Sequence, residues 1–275
     1  MSAHTPDLLD AIIGATRRRV EMERAAVSIE QLRSSAVSSS SRRGLREALV
    51  QGGGMNVIAE CKRRSPSRGI LRTQYDPPQI AAGYERAGAA AISVLTEPAF
   101  FDGSLDHLTA VRRSVGLPVL RKDFTIDPFQ IWQSRAAGAD AVLLIVAALD
   151  DEQLLSLIDE SRQAGVDALV EVHDEDELGR ALSAGADLVG VNNRDLRTLA
   201  VDVETSCRLA PAIPSHVVAV AESGLRTAAD LITLTGVGYR GFLIGERFMN
   251  EADPAAALRA LLDHTDRAEG PLPCA

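Results

Sequence analysis

The chain has 275 residues, 46% of them apolar and 24% charged, with a formal charge of -9. That length buries a substantial core in one domain, and the net negative charge speaks against nucleic acid, whose binding domains present a basic face. No stretch reaches the roughly 18 apolar residues that a membrane span requires, and no metal-ligand spacing is present, so small molecules, anions included, are the expected partners.

From the N-terminus, "DLLDAIIGATRRRVEMER" (7–24) is amphipathic and charged, which fits a surface helix and not a secretory signal. A cytoplasmic protein is expected. "SSAVSSSSRRG" (34–44) reads as a flexible link within an N-terminal helical extension spanning 1–48. The triple glycine 52–54 precedes a strand and opens no helix, so it is a turn and not a nucleotide loop. Cys61, Cys207 and Cys274 show no Cys-x-x-Cys spacing, and Cys61 reads as a packing residue.

Four later segments resemble one another: "RAGAAAISVLT" from Arg86, "AAGADAVLLIV" from Ala136, "QAGVDALVEV" from Gln163 and "SAGADLVGVN" from Ser183. In each, a helix-like segment leads to a glycine, then to an apolar β-prone run. Glycine suits a helix end because it accepts a positive φ without steric cost. Eight such runs occur, at 55–62, 89–96, 117–123, 140–146, 167–173, 188–193, 216–223 and 239–246. Their spacing accommodates strand, loop, helix and turn, and their continuous apolar character suits parallel strands buried on both faces. The pattern predicts an α/β chain, a (β/α)8 TIM barrel over 55–262 following the helical extension, in one domain. A doubly wound open sheet competes, but it leaves eight even units and the missing dinucleotide fingerprint unexplained.

Chemistry on such a barrel belongs at the C-terminal strand ends. Those ends carry Glu60 and Lys62, then Lys122 in "LRKDF", Glu171 in "LVEVHD", "GVNNRDL" with Asn192 and Arg194, "VAESGL" and "FLIGERF". Buried charge without partners is costly, so these groups either pair as structural ion networks or work together as acids and bases. One mouth receiving all of them favours the second. His173 shares Glu171's side of the strand but sits at a loop start, and a supporting role fits it better than chemistry. The glycines after the last two strands, Gly224 and Gly245, place backbone N–H groups where phosphate is often cradled. The basic "RRSPSR" segment after the first strand is placed to close over an anion. It is expected to be mobile with the site empty and ordered with it filled.

The segments "IAECKRRSPSRG", "LPVLRKDF", "LVEVHDEDEL", "GVNNRDL", "AESGL" and "FLIGERFM", in this order, resemble those of the indole-3-glycerol phosphate synthases. The resemblance covers roughly 45–249 and extends to the N-terminal helices. It implies a carbon–carbon lyase of tryptophan biosynthesis, converting 1-(2-carboxyphenylamino)-1-deoxyribulose 5-phosphate to indole-3-glycerol phosphate, carbon dioxide and water without cofactor or metal. It further implies Lys122 as general acid, Glu171 and Glu60 in later proton transfers, Lys62 as a counter-charge, and Asn192 and Ser223 beside them. Binding falls to Ser65, Pro66 and Ser67 of the first loop, Phe124 and Leu243 as apolar walls, and Arg194 for the carboxylate. Glu222 completes that set as an acidic partner, and Ser223, Gly224, Gly245 and Glu246 match a phosphate cradle, the last two through backbone N–H groups. A monomer or weak homo-oligomer is expected. The alternatives are another sugar-phosphate barrel, such as a phosphoribosylanthranilate isomerase, or a barrel that binds phosphate without catalysis.

Overall fold

Each of the eight apolar runs becomes a parallel strand: β1 Val57–Cys61, β2 Ala91–Leu95, β3 Val119–Lys122, β4 Ala141–Ile145, β5 Asp167–Val172, β6 Leu188–Asn192, β7 Val218–Glu222 and β8 Gly241–Ile244. A computed structural model describes residues 8–37, 42–52 and 55–265. Every strand pairs with the next in the chain, and β8 closes onto β1 with Val57 opposite Phe242 and Ala59 opposite Ile244. The sheet is a closed barrel, so the open-sheet alternative is excluded.

Helices α1 Leu8–Ala26, α2 Ile29–Val37 and α3 Leu45–Gln51 precede the barrel. Around it run α4 Pro77–Arg86, α5 Leu105–Ser114, α6 Pro128–Ala137, α7 Asp151–Ala164, α8 Glu175–Ser183, α9 Glu204–Leu209, α10 Ala228–Gly236 and α11 Pro254–Thr265. Side-chain oxygens of Asp76, Ser104, Asp127, Asp150, Asp174 and Thr227 accept first-turn N–H groups and start six of them. The repeat glycines Gly88, Gly138, Gly165 and Gly185 all take positive φ at or next to the helix ends, which is why the repeat could be read from the sequence.

Two apolar clusters divide the core. The outer one lies between strands and helices and contains Cys61, Val94, Val142 and Leu144. The inner one fills the barrel with Ile58, Leu120, Leu143, Leu169, Leu188 and Val220. Helix α3 stoppers its lower end with Leu45 and Leu49, whereas Leu9, Ile12 and Ile13 of α1 join the same cluster beside Phe124. Helix α3 runs across the expected boundary at residue 48.

The expected flexible link is corrected in part. Ser34 to Val37 finish α2, and Arg42 and Arg43 are anchored: Arg42 donates to Asp167 at 2.5 Å, while the Arg43 guanidinium donates to the Val115 and Leu117 carbonyls at 2.6 and 3.0 Å. Residues 38–41, Gly53 and Gly54 of the glycine turn, His4 and Cys274 lie outside the described residues.

Candidate active site

The floor of the barrel mouth follows from strand alternation. On β1, Glu60 points inward and Cys61 outward into the buried helix layer, where desolvation pushes the thiol far above its ordinary pKa. Lys62, the residue after β1, turns back so that its Nζ lies 2.6 Å from Glu60 Oε1. The second oxygen of Glu60 lies 3.4 Å from the Ser93 hydroxyl. Across the mouth, Lys122 Nζ sits 3.0 Å from Glu171 Oε2 and 3.3 Å from Glu222 Oε2. Asn192 Nδ2 donates to the other Glu171 oxygen at 3.1 Å. Register holds these groups level, with Asn192 opposite Glu222 on β6 and β7.

Two glycines leave space for the carboxylates. A Cβ on Gly190 would stand 2.2 Å from Glu222 Oε1, and one on Gly245 would stand 2.4 Å from Glu60 Oε1. Gly245 thus has a steric role on the floor.

Three buried carboxylates face two ammonium groups, so one negative charge is in excess. The proton settles that imbalance. Burial pushes the Glu222 carboxyl up, Lys122 draws it down and Glu171 pushes it up again, leaving it at about 8. Glu171 goes the other way: burial raises it, but the Lys122 ammonium, His173 and the Asn192 hydrogen bond outweigh burial and hold it ionised. Burial alone would discharge Lys122, yet Glu171, Glu222 and Glu60 together hold its ammonium above the ordinary range.

Above this floor opens a cleft of about 920 Å³, lined by every residue of the expected catalytic and binding sets. Its apolar side holds Phe124, Leu143, Ile145 and Leu243, together with Leu8, Leu9 and Ile12 of α1. Phe101 stands beside Phe124 at a ring-centroid distance of 6.1 Å. Pro66 of the first loop lines the cleft. Opposite lies the glycine-bearing end. Ser223 (φ 65°) and Gly224 (φ 78°) both adopt the left-handed region, and Asn193 pins Ser223 by donating to its carbonyl at 3.1 Å. The "RRSPSR" segment is a small antiparallel ribbon, Arg64–Ser65 with Gly69–Ile70, whose Ser65 and Ser67 hydroxyls lie 3.4 Å apart. Arg68 of this ribbon and Arg194 from the loop after β6 both reach the Glu246 side chain, at 3.2 and 3.3 Å.

Helix α1 does more than line the cleft. Its Arg19 reaches buried Asp123 at 2.8 Å, and its Glu23 accepts from Gln133, which in turn accepts from Arg121 at 2.8 Å. Arg121 also meets Asp123 at 2.9 Å. Both chain neighbours of Lys122 are therefore held by the N-terminal extension. Sequence reasoning missed this role; the signal was the apolar stripe Leu8, Leu9, Ile12, Ile13, which marks a packed face without saying what it packs on.

The model of the family "Indole-3-glycerol phosphate synthase" matches residues 9–261. The chain belongs to the indole-3-glycerol phosphate synthase family. It is accordingly a carboxy-lyase of tryptophan biosynthesis, as the motif resemblance implied. Indole-3-glycerol phosphate synthases of Mycolicibacterium vanbaalenii and Mycolicibacterium smegmatis are each 48% identical over 93% of this chain, and that of M. vanbaalenii is itself covered to 93%. The Mycobacterium tuberculosis protein of the same name is 47% identical. Among solved structures, 3-hexulose-6-phosphate synthase from Salmonella typhimurium superposes with a TM-score of 0.62 at 14% identity, covering 78% of this chain and all of that one. Thiamine phosphate pyrophosphorylase from Pyrococcus furiosus does so with 0.59 at 16%, covering 78% and 96%. At those identities the likeness concerns the barrel alone. Among the described residues no helix is long and apolar enough to cross a membrane.

Proposed function

We propose that the cleft closes the indole ring on 1-(2-carboxyphenylamino)-1-deoxyribulose 5-phosphate with Lys122 as the general acid. The observation that carries this assignment is the Lys122 ammonium, held charged between Glu171 and Glu222 at the floor of a cleft that combines apolar walls with polar and glycine-bearing loops. The substrate has the matching halves. Its aromatic ring fits the side formed by Phe124, Leu243 and α1, and its phosphate fits the backbone N–H groups near Ser223, Gly224, Gly245 and Glu246. Arg194 takes the ring carboxylate by a charged fork, with Ser65, Pro66 and Ser67 closing from the ribbon.

The ring carbon bearing the carboxylate attacks the ribulose carbonyl, and the developing alkoxide takes the Lys122 proton. An ammonium kept charged suits this step, because an alkoxide is by far the stronger base. The carbon–carboxylate bond then breaks, and its electron pair restores the aromatic ring as carbon dioxide leaves. Loss of the hydroxyl as water needs one proton supplied and one removed from the neighbouring CH2. Glu171, held ionised, and Glu222, its carboxyl pushed up to about 8, flank Lys122 and divide these transfers with Glu60, Asn192 fixing Glu171 and Lys62 balancing Glu60. Ring closure, loss of carbon dioxide and loss of water each move electron pairs without net oxidation or reduction, so the chemistry requires no redox cofactor. One chain supplies all these side chains, which supports an enzyme acting as a monomer or weak homo-oligomer.

The test is direct. Purified protein with the carboxyphenylamino-ribulose phosphate and no added metal is expected to yield a fluorescent indole product at a rate unaffected by chelator. An inert mixture, or activity lost to the chelator, overturns the assignment.

A further inference from the structure

The proposed reaction consumes a proton from water in every turnover. Two protons are supplied, to the alkoxide and to the departing hydroxyl, and one returns from the CH2. The deficit of one balances the carboxylate charge that leaves as neutral carbon dioxide. Lys122, its side chain 16% exposed in the open cleft, is recharged directly by water once product leaves; recharging it while product still fills the cleft needs another route.

A second way in exists through the barrel wall. Glu171 Oε2 lies 3.0 Å from Lys122 Nζ, and Glu171 Oε1 lies 3.5 Å from His173 Nε2. That ring nitrogen is buried and has no hydrogen-bond partner, so the group nearest to it on the site side is the carboxylate. The other ring nitrogen, Nδ1, lies 2.9 Å from Glu177 Oε2, and the His173 backbone N–H donates to the same oxygen at 2.8 Å. Glu177 stands in the first turn of α8 with its side chain 16% exposed, against 1% for Glu171. His173 carries the proton as imidazolium and gives the Nε2 proton to Glu171 Oε1; the carboxyl then turns about its Cγ–Cδ bond, exchanging the Asn192 hydrogen bond from one oxygen to the other, and the same proton passes to Lys122.

We propose that Glu177 and His173 form a relay that returns a proton from solvent through Glu171 to Lys122 after each turnover, an inference that rests on Lys122 being the acid. A glutamate that only capped α8 would need no ring nitrogen beyond it pointing at the site. The charged groups facing His173 are Glu171 on β5, Glu177 on α8, Glu222 on β7 and Asp195 in the loop after β6. Burial draws the imidazole down, but the Glu177 hydrogen bond and the surrounding carboxylates outweigh it and raise its affinity for the proton. His173 is a relay residue that acts through Glu171.

The experiment compares first and later turnovers of His173→Gln and Glu177→Gln, following indole fluorescence after rapid mixing. His173→Gln leaves the backbone N–H donated to Glu177 in place but has no titratable ring to carry a proton. Because Lys122 begins charged, the first turnover is expected within about twofold of the unmodified enzyme and later ones about tenfold slower, a burst of one product per site. His173→Ala is expected to behave likewise and to regain rate with added imidazole. A steady-state rate unchanged in His173→Gln overturns the relay, as does equal slowing of first and later turnovers with no response to imidazole. Should His173→Ala not fold, the two glutamine variants decide the question. Lys122→Met separates the two readings: a normal first turnover in that variant removes Lys122 as acid, whereas its loss beside an unaltered His173→Gln removes the relay alone.

Discussion

At Glu222 the site keeps a carboxyl protonated near neutrality, and this has a thermodynamic signature. Its folded pKa of about 8 lies above the ordinary carboxylate value, so between roughly pH 4.5 and 8 the folded state binds the proton more tightly than the unfolded one. Stability from this group is therefore complete below the unfolded pKa and is lost as pH rises through 8. Glu222→Gln, which stays neutral, is expected to flatten the fall in denaturation midpoint across that window; an unchanged pH profile contradicts the protonated reading. Lys122→Met is expected to abolish turnover while leaving substrate binding measurable by calorimetry, and unaltered turnover contradicts the acid role. Alternation along a strand made Glu60, Lys62 and Glu171 legible in the sequence as inward-facing. Which carboxylate meets which lysine was not legible, because the pairing is set between strands distant in the chain. Lys62 takes Glu60, and Lys122 takes Glu171 and Glu222.

Among the elements, α1 carries the least expected load. Its outer turns read as an amphipathic surface helix, yet it covers the mouth and grips the residues on either side of Lys122. Asp123 is fully buried, so Arg19→Ala leaves it with fewer compensating partners, and the expected cost is about 3 kcal/mol in urea unfolding. The same variant is expected to lower kcat several-fold. Arg33→Ala, which removes a link from α2 to Glu160, is expected to leave kcat unaltered. Equal kcat effects in both variants contradict a specific hold on the Lys122 strand end. That the segment after β1 borders the cleft was legible from its position after the first strand. Its ties to Glu246 through Arg68 were not, since they join opposite ends of the barrel sequence.

For the whole molecule, the two ends of the barrel separate stability from chemistry. At the lower end Asp140 accepts from the Arg43 and Val119 N–H groups, at 2.8 and 3.0 Å, and from Arg112 at 2.6 Å, so the chain entering α3 is clamped beneath the sheet. Asp140→Ala leaves two backbone donors without their acceptor and is expected to cost about 2 to 4 kcal/mol, with kcat and KM of the folded enzyme unchanged. A loss of kcat without loss of stability contradicts this division. The sequence by itself determined the repeat, the eight strands and the inward polar strand ends, because glycine conformation, helix capping and period-two alternation are local and each leaves a residue pattern. The tertiary structure alone decided the closing of β8 onto β1, the docking of α1 over the mouth and the opposite shifts of Glu171 and Glu222. Those depend on distances between residues far apart in the chain and on burial, which no local pattern records.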